Sequence, residues 1–182
     1  ASVTAATSYL RTKREAEQMI EASGLRYTVF RPSLIFGAGD RLVTHLVGLL
    51  RFSPLVPVVI PDEVVVQPIW VGDVAAAIVA AARDGAADNR IFELGGPLQM
   101  TFASLVETVK KGMGRSAYSV RIPHPLAVPF ARLGERLFDE PPLSAQQYEI
   151  LSCGKTCDPG PAAVAFGLRM RSLIDVLPEY RT

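Results

Sequence analysis

Gly24-Leu25-Arg26-Tyr27-Thr28-Val29-Phe30-Arg31-Pro32-Ser33 reads as a helix stop, a strand and a strand stop in succession. Gly24 accepts the left-handed conformation that commonly ends a helix. Tyr27 to Arg31 are mostly residues that suit a pleated, half-buried surface. Pro32 has no backbone donor and biases Arg31 to an extended conformation, so the strand is expected to stop there and enter a loop. Open α/β sheets place their ligands outside the carboxyl ends of their strands.

Working outward, residues 8 to 22 form a predicted helix with Ala16, Met19 and Ile20 on an apolar stripe. Downstream, Asp40 is placed to cap a helix through about Arg51. Ser53-Pro54, Pro57 and Pro61 break up the apolar stretch that follows, which predicts a loop rather than a strand of the main sheet. Val64 to Trp70 is extended, and Asp73 follows at the start of an alanine-rich helix over 74–83. In that helix Ile78, Val79 and the small side chains would pack on the sheet. Arg90 to Leu94 is a strand ending in the turn Gly95-Gly96-Pro97, and Thr101 caps a helix through about Lys111. Tyr118 to Ile122 is extended. The remainder is short helices interrupted by Pro125, Pro129, Pro141-Pro142, Pro159 and Pro161. Alternating elements of this kind argue for a layered α/β arrangement.

Tyr9 and Lys13 lie in Ser8-Tyr9-Leu10-Arg11-Thr12-Lys13. Four-residue spacing puts both side chains on one helix face. A phenol titrates near 10 and is a poor base at neutrality, but a nearby ammonium favours its phenolate, so the pair suits proton transfer. An ordinary amphipathic helix with a half-buried tyrosine and a solvated lysine would show the same spacing.

The order of Tyr9 and Lys13, then Arg31-Pro32-Ser33 with Gly37-Ala38-Gly39-Asp40, then Gln67-Pro68-Ile69-Trp70-Val71-Gly72-Asp73, resembles the carboxy-terminal half of an extended short-chain dehydrogenase/reductase of the NAD-dependent epimerase/dehydratase type. Ile91 to Pro97, Ile122-Pro123, Phe166-Gly167 and Leu177-Pro178-Glu179-Tyr180 are similar to the atypical branch containing the dehydrogenase-like accessory subunit of respiratory complex I. The resemblance implies the second half of a Rossmann-like doubly wound parallel sheet over residues 1–97, with 41–66 on the substrate side. It also implies a smaller, mostly helical substrate lobe over 98–182. It implies NAD or NADP as cofactor and a small-molecule substrate. It makes Tyr9 the acid/base, with Lys13 tuning it and binding the nicotinamide ribose, and brings the backbone of Pro32, Ser33 and Leu34 beside the nicotinamide. Arg31 could bind an anionic substrate group or tie the strand end to neighbouring carbonyls. Phe36 and Trp70 could line a substrate pocket or belong to the core. Asp73 is expected to cap its own helix rather than touch substrate.

No glycine-rich phosphate cradle is visible, because Gly37-Ala38-Gly39 is followed by Leu42 where a third glycine would fall and Gly95-Gly96 precedes Pro97. Both glycine pairs are read as turns. The chain is therefore expected to be a carboxy-terminal piece that is inactive alone and associates with the amino-terminal half of its protein, or with itself as a homo-oligomer. The alternative to an oxidoreductase is a non-catalytic cofactor-binding or scaffolding protein.

The 182 residues, 49% of them apolar, can bury a sizeable core. Nineteen basic and eighteen acidic residues give a net charge of +1 without a basic cluster, which argues against a nucleic-acid partner. No apolar run approaches the roughly eighteen residues that span a bilayer, and a cytoplasmic location is expected, with peripheral membrane association if the complex I resemblance extends to location. Cys153 and Cys157 have three residues between them and no neighbouring histidine, so they are read as reduced thiols and no metal site is expected.

Overall fold

The computed structural model describes residues 8–58, 63–84, 88–137 and 145–181. In chain order the elements are α1 (Ser8–Ala22), β1 (Thr28–Pro32), β2 (Ile35–Phe36), α2 (Leu42–Phe52), β3 (Leu55–Val58), β4 (Val65–Val66), β5 (Ile69–Trp70) and α3 (Val71–Asp84). They continue with β6 (Arg90–Leu94), β7 (Met100–Thr101), α4 (Phe102–Met113), β8 (Tyr118–Arg121), α5 (His124–Leu137), α6 (Ala145–Ser152), α7 (Gly160–Phe166), α8 (Leu173–Val176) and a 3-10 turn over Leu177–Arg181.

Three of the four strand pairings are parallel, β1 with β6, β2 with β5 and β3 with β8, while β4 and β7 are antiparallel. The fold is the expected α/β class, since parallel neighbours require crossovers and helices supply them. Thr28 lies opposite Arg90 and Pro32 opposite Leu94. Beyond Pro32 the extended chain changes partners: the Ser33 N–H still donates to Leu94 at 2.8 Å, and the Leu34 carbonyl accepts from Ile69 at 2.8 Å. One extended stretch thus links both pairs.

Apolar side chains gather in two clusters. The larger holds α2, α4 and α8 against β3, with Phe36, Val66 and Tyr148. The smaller holds Phe92, Leu94, Ile69, Val74, Ala77 and Ala162 between β1–β6, α3 and α7. Phe30, Phe92 and Phe166 meet there, with Phe166 ring centroids 5.4 Å from Phe30 and 4.7 Å from Phe92. Ile69, Leu94 and Leu105 are fully buried, each stabilising the fold by about 1.5–3 kcal/mol through removal from water.

Several local expectations are corrected. On α3 the buried residues are Asp73, Val74 and Ala77, and Ile78 and Val79 are exposed rather than packed on the sheet. On α1 the apolar stripe lies outward, with Met19 75% exposed, because the helix meets β1 through a charged contact at Glu17. Residues 55–58 form a strand, not a loop. Among the described residues they pair only with β8, so the missing donor of Pro57 can face the other edge. Pro125 and Pro129 do not interrupt α5, which runs through both. Pro125 occupies the first turn, where no donor is needed, and the carbonyl that Pro129 fails to bond is that of Pro125. Pro141 and Pro142 lie outside the described residues. No helix among those residues is long and apolar enough to cross a membrane.

Candidate functional site

The connection from α1 to β1 is short, Ser23 to Tyr27, so the helix runs back along the strand that follows it. Arg31, one residue before the end of β1, pairs with Glu17 of α1: its Nε donates to Oε1 at 2.9 Å and its Nη2 to Oε2 at 2.6 Å. With a rise of about 1.5 Å per residue, Lys13 and Tyr9 then lie roughly 6 and 12 Å further along the helix axis, past the carboxyl end of β1. Both are exposed, Tyr9 at 42%, and the Lys13 ammonium stands 5.6 Å from the Tyr9 ring centroid. The two side chains share one face and are open to an incoming molecule.

Arg31 is committed to its neighbour. The two-pronged bond matches guanidinium to carboxylate, and each charge favours the other: Arg31 holds the Glu17 carboxyl below its ordinary range, and Glu17 raises the Arg31 guanidinium. The tie is therefore to a helix carboxylate rather than to strand-end carbonyls. A Glu17→Gln variant is expected to be about 1 kcal/mol less stable at pH 7. Since the folded carboxyl titrates below its ordinary 4.5, the pair stabilises above that pH and its contribution fades as pH falls through the folded value. In urea unfolding the gap between wild type and variant should close in acid; a gap independent of pH would contradict this coupling.

Phe36 is 0% exposed and packs in the larger cluster, so its ring belongs to the core. Trp70 is half-buried under the Arg171 guanidinium, whose Cζ stands 4.4 Å from the ring. Gly72 makes room for it, because a Cβ there would come within 2.3 Å of the indole. Asp73 does not cap its helix from outside. α3 begins two residues earlier, and the Asp73 carboxylate reaches across to accept the Arg171 N–H at 2.9 Å. Burial raises its pKa, opposed by that hydrogen bond.

The backbone of Pro32, Ser33 and Leu34 forms the strand-end loop. The Pro32 carbonyl accepts from Lys155 Nζ at 3.0 Å, and the Ser33 hydroxyl donates to the Lys155 carbonyl at 2.8 Å. Nothing in the local sequence marked Lys155, since its place depends on contacts with residues more than a hundred positions away. Asp40 caps as expected, accepting from Val43 at 2.7 Å, and it also receives the Tyr180 hydroxyl. Tyr180 in turn accepts the Gly37 N–H at 2.7 Å. Burial, then Asp40, pushes the Tyr180 phenol far up. An open groove lined by Arg26, Tyr27, Thr28, Ile78, Ala82 and Asp88 lies at the amino end of β1, away from Tyr9. Among the described residues Cys153 and Cys157 are in no disulfide. Among the described residues no group of three or more His, Cys, Asp and Glu side chains converges.

A family model for the 3-beta hydroxysteroid dehydrogenase/isomerase family matches residues 2–95, just over half of the chain. The chain belongs to that family. The Arabidopsis thaliana mitochondrial protein "NADH dehydrogenase [ubiquinone] 1 alpha subcomplex subunit 9" is 32% identical over 128 residues, 70% of this chain and 32% of its own length. That similarity supports the complex I branch. The chain spans about a third of the length of this relative, as it does of the mouse counterpart, 32%. Two solved structures share the fold. Pal from Bacillus thuringiensis superposes with a TM-score of 0.71 at 18% identity, covering 96% of this chain and 52% of that one. A human epimerase family protein with NADPH gives a TM-score of 0.67 at 20% identity, covering 94% of this chain and 54% of that one.

Proposed function

We propose that the protein carrying this chain is an NAD(P)-dependent oxidoreductase of the epimerase/dehydratase type, in which Tyr9 and Lys13 move the proton that accompanies hydride transfer. The observation behind this reading is an accessible phenol with an ammonium 5.6 Å from its ring, beyond the carboxyl end of a parallel strand. Support for the cofactor comes from the family and from the NADPH of the human epimerase family structure.

The described residues suit one end of such a dinucleotide. Tyr9 and Lys13 offer a proton donor and a ribose-binding cation to the same open face, and Pro32, Ser33 and Leu34 present strand-end backbone nearby. The glycine-rich turn that holds a pyrophosphate is absent from residues 1–182, and that part of the site is assigned to residues outside this chain. The cofactor would supply hydride chemistry. Tyr9 Oη would give a proton to, or take one from, a substrate oxygen, with the Lys13 ammonium on the same helix face. Arg31, Phe36 and Trp70 have structural partners, so substrate recognition is assigned to the smaller lobe and the 41–66 segment, not to these three side chains.

A second reading is a scaffold that binds the dinucleotide without turning over, favoured by the 32% identity to an NADH dehydrogenase accessory subunit. The full-length protein should be incubated with NADH and NADPH deuterated at the nicotinamide C4 and with a panel of ketones and nucleotide sugars. Deuterium in a product, read by mass spectrometry, is the expected result. Dinucleotide binding with no transfer to any carbonyl would favour the scaffold instead.

A further inference from the structure

Lys155 is a half-buried cation that the proposed chemistry does not use. Gly154 takes a left-handed φ of 61° and turns the chain, after which the Lys155 N–H donates to Val65 at 3.2 Å. Two residues on, the Cys157 N–H donates to Gln67 Oε1 at 2.9 Å, while Gln67 Nε2 donates to the Gly96 carbonyl at 2.8 Å. Residues 155–157 therefore form a strap across the carboxyl ends of β1, β4 and β6. From this strap Lys155 Nζ reaches the Pro32 carbonyl and its own carbonyl receives the Ser33 hydroxyl, so two bonds of opposite direction grip two successive residues. Among the described residues no carboxylate lies within ion-pair distance of Nζ. A surface lysine tying a loop to a carboxylate would be unremarkable; a desolvated one spent on a backbone carbonyl fixes a peptide plane.

We propose that Lys155 is a positioning residue that sets the backbone of Pro32 to Leu34 for the nicotinamide end of the dinucleotide. This rests on the reading that the 32–34 loop lies beside the nicotinamide. The peptide after Pro32 is held at its N–H end by Leu94, at 2.8 Å, and Lys155 Nζ takes its carbonyl end, so removing the lysine takes away the donor on that side. Gripped by Lys155, the loop is preorganised, and the dinucleotide need not bear the cost of ordering it. Burial lowers the lysine's pKa, which Glu93, Cys157 and Glu17 oppose and Arg31 assists. These groups, from β6, the strap, α1 and β1, are the charges around it. The ammonium is thus lost at a lower pH than an ordinary lysine's, and the grip weakens there.

The test compares the affinity of the full-length protein for NADH or NADPH, whichever binds more tightly, with its affinity for the corresponding ADP-ribose, which lacks the nicotinamide. Lys155→Met is expected to weaken the intact dinucleotide about tenfold and leave the truncated one unchanged. Ser33→Ala should show a smaller loss with the same selectivity. In wild type the selectivity for the intact dinucleotide should fall as pH rises toward the ordinary lysine range, and that step should vanish in Lys155→Met. Equal weakening of both ligands, or of neither, overturns the proposal, as does a pH step that survives the substitution. If Lys155→Met fails to fold, Ser33→Ala decides on the same criterion. A bulky Ser33→Leu separates the layers: selectivity lost there but intact in Lys155→Met sinks only the lysine's role. Selectivity unchanged in Ser33→Leu sinks the loop's place beside the nicotinamide.

Discussion

Gly96→Ala is expected to destabilise the protein by about 3 kcal/mol or more. A Cβ at Gly96 would sit 1.7 Å from the Pro68 carbonyl oxygen and 2.8 Å from its carbonyl carbon. Both atoms are backbone, so no side chain can swing aside, and the strands would have to part. They cannot part cheaply, because Gly96 donates to the Gln67 carbonyl at 3.4 Å and accepts from Gln67 Nε2 at 2.8 Å. Gln67 itself is only 2% exposed, and losing its partner would strand a buried amide. Gly114→Ala is the control: Gly114 has a φ of 63° with nothing within 4 Å of an added Cβ. It should cost only the left-handed conformation, about 1 kcal/mol. Urea-unfolding free energies of the two variants decide the matter, and equal losses would refute the close approach of residues 68 and 96.

Tyr9→Phe in the full-length protein is expected to lower turnover by about 10²- to 10⁴-fold, the range for loss of a positioned acid/base. Phenylalanine keeps the ring beside the Lys13 ammonium, so the helix face and the dinucleotide affinity should be nearly unchanged. Because Tyr9 is exposed, no buried hydroxyl partner is orphaned and stability should stay within about 0.5 kcal/mol of wild type. The combination matters: a large fall in kcat at constant stability and constant dinucleotide affinity belongs to proton transfer. Turnover retained in Tyr9→Phe would move the acid/base elsewhere, even if the oxidoreductase reading stood.

Elements whose signals are local were legible in the sequence. α1 spans residues 8–22 and β6 spans 90–94 as expected, because Gly24 and Gly95 punctuate their ends. Thr101 caps α4 through a 3.1 Å bond from Ser104, the interaction its residue type implies. What failed depended on distant partners. Pro57 argued against a strand, yet a strand with a partner on one side only tolerates it. Gly95-Gly96 read only as a turn, but Gly96 is there for space, against the Pro68 carbonyl. At the site, the order of Tyr9, Lys13 and Pro32 pointed to one end of the sheet. The roles of Arg31, Asp73 and Trp70 could not be read, because Glu17 competes for the first and Arg171 for the other two. Lys155 left no trace because a half-buried lysine and a solvated one look alike in a sequence.

Ser33 meets Lys155 across 122 positions, and Gly37 meets Tyr180 across 143. During synthesis at about 5–20 residues per second, the end of β1 has therefore left the ribosome many seconds before its stapling partners exist. Distant pairings of this kind bring in their loop-closure entropy late and slow the search for the native arrangement. The nascent chain carries the end of β1 without its Lys155 contacts in the meantime.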